Sequence, residues 1–132
     1  MKSLKWILGI ATVVLIVVLS GRSRKQVVPG YALATETVIT GEVTEVQEFY
    51  CPLSEDQGMH LMLKTSNGQV QVHLGPGRFL RAHEVRFSPG DRVRVVGSRL
   101  RYKGEDALMA REVNRGTETL TFRDAEGKPL WQ

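Results

Sequence analysis

The sequence predicts a small all-β domain with one short helix, closed into a five-stranded barrel, behind an N-terminal transmembrane helix. Three observations carry that expectation. Residues 58–74 alternate apolar and polar side chains on both sides of Asn67-Gly68, the pattern of a β-hairpin around a tight turn. Residues 78–85 interrupt the β pattern with about two turns of helical spacing. Residues 6–19 carry no charge and no proline.

The elements follow in order. Residues 1–5 form a basic cap, and residues 6–21 the expected anchor. The apolar run is shorter than the ~20 residues usual for a span, but Leu4, the stem of Lys5 and Ser20-Gly21 extend it. The competing expectation is a cleaved signal peptide. Arg22, Arg24 and Lys25 directly after the run disfavour export cleavage. The usual orientation of such a leader puts the domain on the periplasmic or lumenal side of a bacterial inner membrane. Residues 22–36, with Pro29-Gly30, have no periodicity and read as a linker to a domain at 37–132.

A long strand begins at Thr37, with a bulge or bend expected at Gly41. Residues 51–57 read as an acidic loop. In the hairpin, a type I′ turn at Asn67-Gly68 sets Met62 opposite His73 and Leu61 opposite Leu74. Leu61, Leu63, Val70, Val72 and Leu74 then share an apolar face, and His60, Met62, Lys64, Gln69, Gln71 and His73 an outward one. Gly75-Pro76-Gly77 ends the hairpin and the short helix follows. After a turn at 88–91 come strands at 92–102 and 107–113, a short extra strand at 119–122, and a closing segment at 129–131. Three strands, a helix and two strands is the order of an OB-like Greek-key barrel with a C-terminal extension.

The formal charge of +4 suggests nucleic acid until it is located. Lys2, Lys5, Arg22, Arg24 and Lys25 flank the apolar run; without them, 13 of the 18 basic residues face 14 acidic ones. The domain is nearly neutral. Arg92, Arg94, Arg99, Arg101 and Lys103 lie at strand spacing, but the hairpin's outward face has no Phe, Tyr or Trp to stack bases. Nucleic acid is therefore disfavoured as a partner. No Ser-His-Asp arrangement, phosphate loop or other catalytic motif is present, so no catalytic residue is assigned and an enzyme is not expected.

A single cysteine excludes an intramolecular disulfide and a multi-cysteine zinc site. Cys51 reads as a loop cysteine without catalytic duty. His60, Met62 and His73, with Cys51, Met59 and His83 as neighbours, could gather a transition metal, since imidazole and thioether suit copper and imidazole alone suits zinc, copper or iron. Plain contact surface competes with that assignment, and no cofactor is required. The expected ligand-binding face is centred on His60, Met62, Lys64, Gln71 and His73 and flanked by Arg99 and Arg101.

Residues 73–80 (HLGPGRFL), 89–97 (PGDRVRVVG), 108–113 (LMAREV) and 120–131 (LTFRDAEGKPLW) resemble small exported bacterial proteins built from one OB-like barrel behind an apolar segment. The domain plan is also similar to membrane-anchored accessory proteins of magnetosomes in magnetotactic bacteria. These resemblances imply a single-pass, non-enzymatic binding or accessory module outside the cytoplasm, with an envelope or membrane protein as partner. The alternatives are a metal-handling accessory protein of magnetosome biomineralisation and a nucleic-acid-binding OB domain.

Overall fold

The computed structural model describes residues 30–51 and 55–132. The expected anchor at 6–21 and most of the linker lie outside the described residues. Among the described residues no helix is long and apolar enough to cross a membrane.

Six strands and one short helix make up the domain: β1 (Glu36–Cys51), β2 (Asp56–Thr65), β3 (Gly68–Pro76), α1 (Gly77–Ala82), β4 (Arg92–Tyr102), β5 (Glu105–Arg115) and β6 (Glu118–Thr121). The sheet runs β3-β2-β1-β4-β5-β6, and a parallel pairing of β3 with β5 closes it. All other pairings are antiparallel. The closed ring has five strands, as expected for an OB-like barrel. The short extra strand is a true sixth, added along β5 outside the ring.

Alternation fills the barrel. Leu61, Leu63, Val72, Leu74, Val95, Leu108, Val113 and Phe122 join one buried apolar cluster. Helix α1 adds Phe79 and Leu80 to it. The helix ends at Ala82, three residues before the predicted 85, because Glu84 takes a left-handed backbone with φ 55°. The Val85 N–H then bonds back to the Leu80 carbonyl and the Glu84 N–H to that of Arg81, closing the last turn.

Three local expectations are corrected. The hairpin loop is Ser66-Asn67 rather than Asn67-Gly68, since Thr65 pairs with Gly68. Thr65 Oγ1 accepts from the Asn67 N–H at 3.2 Å, and Gly68 alone supplies positive φ, at 114°. The side chain of Thr65 holds the turn that two positive-φ residues were expected to make. The register moves accordingly: His60, not Met62, faces His73, and a bulge at Met59/His60 follows. In β1 the irregularity falls at Val43/Glu45 instead of Gly41. Gly41 serves close approach: a Cβ there would meet the Lys64 carbonyl oxygen at 2.7 Å. Finally, the expected acidic loop is strand at both its ends, with β1 reaching Cys51 and β2 starting at Asp56.

The described end of the expected linker docks on the barrel. The Ala32 N–H donates to Ser98 Oγ at 3.2 Å, and the Tyr31 hydroxyl donates to Glu36 at 2.7 Å. Arg111 grips the same Glu36 carboxylate through two nitrogens, at 2.7 and 3.0 Å. Hydrogen bonds from Arg111, then from Tyr31, hold the Glu36 carboxyl below its ordinary value. At the other terminus the Leu130 N–H returns to the Phe122 carbonyl, laying Trp131 against β3 at Gly75.

Candidate metal centre

His60 and His73 face each other across the β2–β3 ladder, on the side of the sheet opposite Leu61 and Val72. Both are buried, at 1% and 5% exposure, and not outward as expected. The physical reason is a second layer over this face. Phe49 meets the His60 ring edge-on at 4.1 Å, and Tyr102 packs on His73 at 4.8 Å. Arg123 and Trp131 close the space from the C-terminal segment.

Cys51 completes the group. As the last residue of β1 it is buried, and its Sγ lies 3.5 Å from His73 Nδ1. One donor atom each from Cys51, His60 and His73 lies within 4.8 Å of the other two. The Cys51–His73 spacing matches the ~3.6 Å between sulfur and nitrogen ligands on one tetrahedral metal at ordinary bond lengths.

Each imidazole is prepared to ligate. His73 Nε2–H donates to Gln71 Oε1 at 3.1 Å, which leaves Nδ1 with its lone pair toward Cys51. Neither ring nitrogen of His60 has a hydrogen-bond partner. An unpaired buried polar group costs about 1–3 kcal/mol, so the protein maintains His60 here at the expense of stability. Desolvation, then the positive charge of Lys103, pushes the His60 pKa down to about 4. Desolvation, then His60, pushes that of His73 down to about 3. Both rings are neutral at physiological pH, the form that binds metal.

A cavity of about 20 Å³ sits among these side chains, with Met109 on its wall. That is room for roughly one atom or water. Gly58 keeps it open: a Cβ there would stand 2.7 Å from Cys51 Cβ and 3.3 Å from His60 Nε2. A glycine inside a strand is the sequence sign of such close approach. Phe49-Tyr50-Cys51 extends the β pattern of β1 and is the sign that Cys51 ends a strand. Nothing in the sequence marks Met109, which arrives from β5, or Arg123 and Trp131, which arrive from the segment after β6.

The other expected site residues separate from this group. Met62 shares the His60 face but sits two residues along, half-buried and paired with Gln71. The donor set holds Cys51 in the place expected for Met62. Lys64 is exposed, and Gln71 orients His73. Arg99 and Arg101 alternate with Tyr102, whose ring reaches His73, so they point from the other side of β4. Arg101 pairs with Asp106 at 2.8 Å on the surface. Arg99 lines a separate open groove of about 290 Å³ with Ile39 and Val70. The seven residues therefore do not form one face.

The model of the MamS/MamX magnetosome protein family matches residues 35–120, from the turn before β1 into β6. No curated protein matches the chain. Among solved structures, the chain is similar to a mitochondrial single-stranded DNA binding protein from S. cerevisiae. The two share 11% identity at a TM-score of 0.43, over 66% of this chain and 96% of the other.

Proposed function

Because this chain belongs to the MamS/MamX magnetosome protein family, we propose that it is a non-enzymatic accessory protein of the magnetosome that holds a transition metal at Cys51, His60 and His73. The observation that carries this is the unpartnered, buried His60 beside a thiol and a second imidazole whose free nitrogen faces that thiol. A catalytic metal site keeps an open position for substrate. Here the cavity is about 20 Å³, with Trp131 on its wall and Phe49 and Tyr102 packed on the two imidazoles, which favours holding or delivering an ion over turnover at it. The apolar run at 6–21 would tether the barrel to the magnetosome membrane or the inner membrane, with the site on the lumenal or periplasmic side.

The test is metal retained after dialysis, measured by elemental analysis. Wild type is expected to keep one equivalent, and Cys51→Ser and a His60→Ala/His73→Ala double variant to lose it while still melting cooperatively. A wild-type protein that leaves dialysis metal-free after loading with zinc, iron and copper in turn overturns the assignment.

A further inference from the structure

The charge around the cavity selects which metal the site takes, an inference that rests on the metal site proposed above. Among the described residues, no carboxylate lines the cavity. The acids near Cys51 in sequence lie outside the cavity: Asp56 pairs with Arg78 at 3.0 Å, Glu48 with Arg81 at 2.8 Å, and Glu55 is exposed. Cys51 is the one lining side chain that can carry a negative charge. Arg123, 9% exposed, lines the same cavity, its Nη1 donating to the Gly127 carbonyl at 2.9 Å and its Nε without a partner.

We propose that the Cys51–His60–His73 site is selective for monovalent copper over divalent iron and zinc. One thiolate and one Cu(I) ion sum to zero. A divalent ion on the same ligands leaves a net positive charge, buried and beside the Arg123 guanidinium. Uncompensated charge in a low-dielectric interior is strongly disfavoured. Ligand chemistry points the same way. Thiolate and imidazole, in a cavity also lined by Met109, form a soft set that suits Cu(I). Three protein donors satisfy Cu(I), whereas a structural zinc site uses four. Iron(II) prefers harder, oxygen-containing sets, and this cavity offers none.

The experiment is anaerobic competition on the full chain, with Cu(I) supplied in a colorimetric chelator and Zn(II) or Fe(II) added in excess. Copper is expected to bind at one equivalent and to resist displacement by about tenfold excess of either divalent ion. Arg123→Met, checked for folding by its melting curve, is expected to narrow the preference by raising zinc affinity more than copper affinity. Zinc or iron binding at one equivalent and displacing copper would overturn the selectivity while leaving the metal site standing. Binding of none of the three would overturn both. An unchanged copper-to-zinc ratio in a folded Arg123→Met protein would remove charge as the cause of selection.

Discussion

At the His60–His73 pair the two sides of the β2–β3 hairpin are both buried and spend that burial differently. On the barrel side, Leu61, Leu63 and Val72 are fully enclosed among other aliphatic and aromatic side chains. On the other side, one residue along each strand, His60 and His73 are nearly as enclosed, yet His60 satisfies neither ring nitrogen. The first arrangement maximises apolar area removed from water. The second gives up stability to keep lone pairs dry and free. A ladder that alternates by one residue thus separates what makes the barrel fold from what the barrel holds.

Substitutions on each side sharpen that contrast. Leu108→Ala, in the barrel, is expected to cost about 2–5 kcal/mol of stability by denaturant unfolding. Metal stoichiometry should be unchanged in the fraction that remains folded. His60→Leu is expected to do the reverse. It should abolish metal binding and leave the metal-free protein at least as stable, by up to about 1–3 kcal/mol, because an unpaired polar group is replaced by an apolar one. A large loss of metal-free stability in His60→Leu would mean that His60 is structural. The smallest effect falls outside both regions, at the Glu36–Arg111 pair. The Glu36 pKa is lowered in the folded state, so its contribution is full above the ordinary value of 4.5 and disappears as pH falls through the lower folded value. Melting temperatures of wild type and Glu36→Gln should therefore differ near neutrality and converge in acid. A constant gap across the titration would contradict that linkage.

Much of the barrel was legible because period-two alternation and glycine-marked turns report directly on strands. The helix between β3 and β4 and the extra strand at the C-terminus were also readable. The hairpin register was not, because Thr65 supports a turn with one positive φ where Asn67-Gly68 suggested two. That single shift sets His60 against His73 rather than Met62. His60 and His73 were visible as candidate ligands by residue type. Their burial was not, since the layer over them is built by Phe49, Tyr102 and Trp131 from three other parts of the chain. The acids after Cys51 mask the strand pattern before it, so its place at the end of β1 is obscured in the sequence. The electropositive side chain over the site, Arg123, comes from the segment after β6.

The central claim is that Cys51, His60 and His73 bind one metal ion together. X-ray absorption at the edge of the bound metal reads those ligands directly. A first shell of one sulfur and two imidazole nitrogens, with the sulfur scatterer lost in Cys51→Ser, is the expected result. A first shell of oxygen and nitrogen without sulfur would contradict the account, because it would place the metal outside the buried cluster.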